Sequence, residues 1–200
     1  MLADDENRLT RRLLEVIEKE IVPLTEIGVR SGNKLFGAAI IRKDDGALVV
    51  AASNNEMECP LWHGEVATMK KLYEMPRDRR PAPADCIFIA THEPCSLCLS
   101  AITWGGYDNF YYLFSYQDSR DAFSIPHDLQ MLDEVFDCPD GGYQRENHYW
   151  KGHSIQAMIE NSAEPARTAL TEQVSTLRAT YDRLSDVYQA SKGENEIPLA

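Results

Sequence analysis

The sequence predicts an α/β fold: a three-layer α/β/α sandwich around a mixed sheet of about five strands, with a C-terminal helical extension. Three observations carry that expectation. Two short apolar runs, 36–42 and Leu48–Ser53, flank Lys43-Asp44-Asp45-Gly46, and Asp-Gly between such runs marks an antiparallel hairpin. Two later runs, 86–90 and 110–114, are continuous apolar stretches of the kind buried on both faces of a sheet. A helical stretch closed by Gly105-Gly106 separates them, and strand, helix, strand with a crossover implies parallel pairing.

Taken in order, the chain begins with an amphipathic helix over 5–22, where Leu9, Leu13, Val16, Ile17 and Ile21 recur at helical spacing. Pro23 is expected to end or kink it. After the hairpin and the Asn54-Asn55 pair, residues 64–75 are good helix formers that stop at Pro76, which places His63 and Glu65 at a helix start. Pro94 suits a first helical turn, so Cys95 and Cys98 open another helix, running to Trp104. From 115 to 149 the pattern weakens, and it gives the fifth strand no position. In the tail, Leu170, Val174, Leu177, Tyr181, Leu184 and Tyr188 alternate steps of four and three on a polar helix. The expected use of that seam is packing on its own domain, with a subunit contact as the alternative. The division expected is a core over 1–160 and an extension over 161–200.

With 32 acidic against 20 basic residues and a net charge of −12, the protein should repel a polyanion, so a nucleic-acid partner is disfavoured. There is no apolar window of membrane-spanning length, and the polar, acidic N-terminus is no signal peptide, so a cytoplasmic location and no membrane contact are expected. Five cysteines in a chain without secretory features point to metal or redox chemistry rather than a disulfide framework.

The chemistry concentrates in His63-Gly64-Glu65 and Pro94-Cys95-Ser96-Leu97-Cys98. One imidazole and two thiolates make the three protein ligands of a catalytic zinc, with a fourth position left for water. Zinc brings the pKa of such a water to about 7, and attack on an amidine-like ring carbon also needs a proton carrier, for which Glu65 is the candidate. Residues two apart on a regular helix point to different sides. His63 therefore belongs at the cap, with Glu65 inside the helix and off the metal. His92, beside the cysteine helix, is a candidate pocket residue, and Trp62, Phe114 and Phe123 are candidates to stack on a planar ring.

These residues carry a resemblance. The stretch 36–123 resembles the cytidine deaminase-like superfamily, and within it the small bacterial guanine deaminases and the tRNA adenosine deaminases. The matching pieces are Phe36-Gly37-Ala38-Ala39, Asn54-Asn55, His63-Gly64-Glu65, Glu93-Pro94-Cys95-Ser96-Leu97-Cys98, Ala101-Ile102-Thr103-Trp104 and the run from Asp118 to Phe123. H-x-E followed by P-C-x-x-C is the signature of the zinc deaminases. The resemblance implies zinc on His63, Cys95 and Cys98, proton shuttling by Glu65, and a base contact from Asn54, with Asn55 as the alternative. Gly64 departs from the alanine more common there. The segment after Phe123 has no clean match to the acidic residue that reads guanine, leaving Asp128 and His127 as candidates.

The implied activity is hydrolytic deamination of a free nucleobase or a related amino-substituted nitrogen heterocycle, guanine-like or cytosine-like, by a homodimer. Two alternatives stay open: tRNA adenosine deamination, and a zinc-stabilised interaction module without catalysis.

Overall fold

The computed structural model describes residues 3–200. Five strands form one sheet in the order β2-β1-β3-β4-β5: β1 Gly37–Arg42, β2 Leu48–Ser53, β3 Cys86–His92, β4 Asn109–Phe114 and β5 Lys151–Ser154. β1 is antiparallel to β2 and β3, whereas β3, β4 and β5 are parallel, so the sheet is mixed as expected. Side-chain alternation along the strands sorts the core into two layers. Ile87 and Ile89 of β3 pack with Leu13, Ile17, Ile155, Leu177 and Tyr181 on one face. Cys86, Phe88 and Ala90 pack with Leu72, Leu99 and Ile102 on the other. Helices α1 Ala3–Val16, α2 Val22–Arg30, α7 Ile155–Glu160 and α8 Ala166–Ser191 cover the first face, and α3 Gly64–Glu74 and α4 Ser96–Trp104 the second. Two short helices, α5 Tyr116–Asp121 and α6 His127–Phe136, follow β4. Among the described residues no helix is long and apolar enough to cross a membrane.

Pro23 does not end the first helix. A π-helical turn, Ile17–Ile21, joins α1 to α2, and in it the Val22 N–H donates to the Ile17 carbonyl, five residues back. The widened turn lies just before Pro23, which has no N–H to give and sits in the first turn of α2, where none is needed. The fifth strand is Lys-Gly-His-Ser, four residues without an apolar side chain that could announce it. It exists because the exposed edge of β4 offers it backbone partners from Asn109 to Tyr112.

Segment 161–200 packs into the same body as 1–160. α8 adds Leu170, Leu177, Tyr181, Leu184 and Tyr188 to the cluster that holds Leu13 and Ile17. Its Arg178 pairs with Asp118 at 2.6 Å, and Gln189 Nε2 donates to the Phe123 carbonyl at 2.9 Å.

Candidate active site

Because β1 and β3 are antiparallel, the start of one and the end of the other meet at the same edge of the sheet, where α3 and α4 both begin. His63 is the N-cap of α3 (φ −62°, ψ 160°) and Cys95 the N-cap of α4 (φ −63°, ψ 172°). Neither side chain bonds to its own helix end, so both are free to face each other. The extended cap backbone also separates His63 from Glu65, which lies inside the first turn of α3. His63 Nδ1 lies 3.3 Å from Cys95 Sγ and 3.8 Å from Cys98 Sγ. The ligand atoms of His63, Cys95 and Cys98 all lie within 4.8 Å of one another, the one such grouping among the described residues. Glu65 Oε2 stands 3.2 Å from Cys98 Sγ, outside the set of three.

One nitrogen and two sulfurs form a donor set suited to zinc; magnesium and calcium take oxygen. The three residues therefore fit the ion, and three protein ligands leave a position open for a reactant. The electrostatics agree. Cys95 is drawn well below the usual thiol range by a hydrogen bond with Cys98 and by the neighbouring His63. Burial, followed by the hydrogen bond with Cys95 and the charge there, pushes Cys98 well above it. Burial opposes a charged His63, but its hydrogen bond with Cys95 and the charge there outweigh this and raise it to about 9. Metal binding at the site must displace such protons, which makes it pH-dependent. Burial first, then the Cys95 charge, raises Glu65 to about 7.

Gly64, the departure noted above, has a physical reason. A Cβ there would meet Gly37 Cα of β1 at 2.6 Å, so the start of α3 rests directly on strand backbone. The Gly64 N–H donates to Asn54 Oδ1 at 2.5 Å, and Asn54 Nδ2 donates to Glu56 Oε2 at 2.9 Å. Both polar atoms of the buried Asn54 thus serve its own chain, and its place in the structure is holding the helix start rather than lining the pocket.

The pocket at this edge is lined by Phe36, His63, Glu65, His92, Glu93, Cys95, Cys98 and Asp128. The structure therefore brings His92 and Asp128 to the site. Burial first of all lowers His92 to about 3, so its imidazole is neutral. Asp128, in the first turn of α6, is pushed well above the usual carboxyl range by burial and by the Cys95 charge. Phe114 and Phe123 are not on the pocket wall. Both are fully buried and pack against His92, at 5.0 and 5.1 Å between ring centroids, and against Tyr181 of α8. They form the support behind His92. Trp62 lies outside the lining as well, with Lys70 Nζ 4.9 Å from its ring centre.

Three residues around the site were not among the candidates the sequence offered. Glu93 was legible only as part of the cysteine motif; here its carboxylate is buried and meets Arg145 at 2.8 Å and the Tyr143 hydroxyl at 2.8 Å. Lys34 and Glu56 form a buried pair at 2.9 Å across a separation of 22 residues. A groove of about 690 Å³ lies at the opposite ends of the strands, among Arg8, Arg12, Arg42, Lys43, Tyr111 and His153. Its cations are paired with neighbouring acids, as in Arg42 with Asp45 and Lys43 with Asp108, and Cys95 and Cys98 follow the other end of β3.

Comparison with known proteins agrees with this geometry. Residues 18–114, which include all four motif residues, match the family described as the cytidine and deoxycytidylate deaminase zinc-binding region. The chain is 32% identical over 111 residues to a guanine deaminase of Bacillus subtilis (strain 168), covering 54% of this chain and 69% of the relative. A solved structure of an NE0047 mutant in complex with 8-azaguanine has a similar fold, with a TM-score of 0.51 at 18% identity over 88% of this chain and 85% of that one. A structure from studies of A-to-I editing by tRNA:A34 deaminases aligns at TM-score 0.45 and 16% identity, over 68% of this chain and 98% of that one. On its sequence match and its fold, this chain belongs to the cytidine and deoxycytidylate deaminase zinc-binding family.

Proposed function

We propose that the protein is a zinc-dependent hydrolase that releases ammonia from a free nucleobase or a related amino-substituted heterocycle, with guanine-like rings first and cytosine-like rings second. The observation that carries this reading is Glu65: a buried carboxyl beside three residues suited to zinc, yet not one of the three. A structural metal clip needs no such group. With zinc held by His63, Cys95 and Cys98, the ion supplies Lewis-acid chemistry that makes water a nucleophile near neutral pH.

The chain's own residues do the rest. Glu65, raised to about 7, can both accept and return a proton at neutral pH. It takes a proton from the attacking water and delivers it to the ring nitrogen as oxygen bonds to the amino-bearing carbon. It then transfers the second proton to the amine, whose carbon–nitrogen bond breaks to release ammonia. Phe36 supplies an apolar wall for a planar ring, and neutral His92 supplies a polar wall without charge. Asp128 on the lining brings a carboxyl group that can accept from a ring N–H, of which guanine's edge has several, whereas the Glu93 carboxylate is already taken by Arg145 and Tyr143. The same reading assigns 1–160 to the deaminase core and 161–200 to an extension that supports its aromatic interior.

The test is ammonia release by purified, zinc-loaded protein over a panel of free bases, nucleosides, nucleotides and triazines, with Glu65→Ala as control. Turnover of at least one free base that vanishes in the variant is expected. Activity surviving the substitution would exclude Glu65 as proton carrier. Activity on tRNA alone would replace the free-base reading, although a net charge of −12 gives no support to that outcome.

A further inference from the structure

Beside the proposed zinc ligands lies a buried ion pair that the reaction itself does not use. Lys34 Nζ meets Glu56 Oε1 at 2.9 Å, and the two side chains are 7% and 1% exposed. Glu56 Oε2 accepts from the Lys34 backbone N–H at 3.2 Å and from Asn54 Nδ2 at 2.9 Å. Buried pairs stabilise little, because desolvation offsets most of their attraction, so stability alone is a poor account of this one. Its position offers a better account. Glu56 Oε1 stands 3.8 Å from His63 Nε2, while the other ring nitrogen, Nδ1, faces the sulfurs of Cys95 and Cys98.

Ligation through Nδ1 leaves the ring proton on Nε2, and a metal-bound histidine almost always gives that proton to a carboxylate, a carbonyl or water. The distance of 3.8 Å is one small side-chain movement from hydrogen-bond length. We propose that Glu56 is the positioning residue of the metal centre: it accepts the Nε2–H of His63, fixing the tautomer that offers Nδ1 to zinc, with Lys34 as the buried countercharge. This rests on the zinc reading given above. Asn54 extends the device, because it bonds both Glu56 and the Gly64 N–H and so ties the carboxylate to the start of the helix that bears Glu65.

The experiment compares the wild-type chain with Glu56→Gln and with Lys34→Met/Glu56→Gln, the second of which leaves no unpaired charge in the interior. Zinc affinity is measured by competition with a chromogenic chelator, and the His63 ring is followed by 1H and 15N NMR in the zinc-loaded proteins. The wild type should bind one zinc and show a low-field Nε2–H signal that exchanges slowly with solvent. Both variants should bind zinc about 10- to 100-fold more weakly and show that signal moved upfield and exchanging faster. An unchanged zinc affinity or an unmoved Nε2–H signal in a folded variant would overturn the proposal. So would an Nε2–H of the wild type that exchanges freely, a result that needs no variant. A wild-type chain that binds no zinc would instead overturn the zinc reading on which the proposal stands.

Discussion

The pocket has two unlike sides. His63, Glu65, Cys95 and Cys98 come from two helix starts, and each is aimed by its own few residues of backbone. Phe36, His92 and Asp128 come from the approach to β1, the end of β3 and the start of α6, and they are aimed by what lies behind them. His92 shows this most clearly: it is wedged among Phe36, Phe114, Phe123 and Tyr181, at centroid distances of 4.6 to 5.4 Å. The first side is locally encoded and in the proposed function carries the reaction. The second borrows its geometry from the C-terminal helix, and in the proposed function it selects the ring.

The largest effect should come from breaking the first side. Chelation of the wild type, or Cys98→Ala, should remove zinc and reduce ammonia release to background, and added zinc should rescue only the chelated wild type. Next, Glu65→Gln should keep one zinc by metal analysis while lowering kcat by about 10²- to 10⁴-fold; a parallel loss of metal would show that the carboxylate belongs to the ligand set after all. On the second side, Tyr181→Ala should cost about 3–5 kcal/mol in denaturant unfolding, since it empties a fully buried aromatic site. Zinc content should stay intact, and KM should rise more than kcat falls as His92 loses its support.

Asp128→Asn should leave zinc and fold in place and shift the ratio of kcat/KM between guanine-like and cytosine-like rings by about tenfold or more. Equal losses on both rings would mean that Asp128 does not choose between them.

The smallest effect concerns how α8 is attached. Burial opposes a charged Asp118, but the Ser115 N–H and Arg178 hold its carboxyl below the usual range. That stabilisation is present above the unfolded-state value and is lost as pH falls through the lower folded-state value. Arg178→Ala should therefore cost about 1 kcal/mol at neutral pH, and its difference from wild type should shrink in acid.

Much of the fold was legible because its signals are local. Asp-Gly between apolar runs forms the hairpin, and continuous apolar runs form β3 and β4 in the middle of the sheet. The placement of His63 at a cap, inferred from the conflict between two residues on one helix, agrees with the backbone angles. The pattern missed β5 because that strand has no apolar face and forms only where β4 leaves an open edge. It expected an end or a kink at Pro23, and did not give the π turn just before the proline because that turn depends on how its flanks pack into the core. Residue type makes Phe114 and Phe123 stacking candidates, but type does not say which side of the aromatic cluster opens to solvent.

By itself the sequence determined which side chains stand at the two helix starts, since cap residues, a proline before the first cysteine and three-residue spacing act within one helical turn. Only the tertiary structure decided that Glu65 is buried enough to hold a proton near neutral pH, that Asn54 holds a helix start, and that Glu56 faces His63. Those properties depend on desolvation and on partners brought together from distant parts of the chain, and spacing along the chain encodes neither.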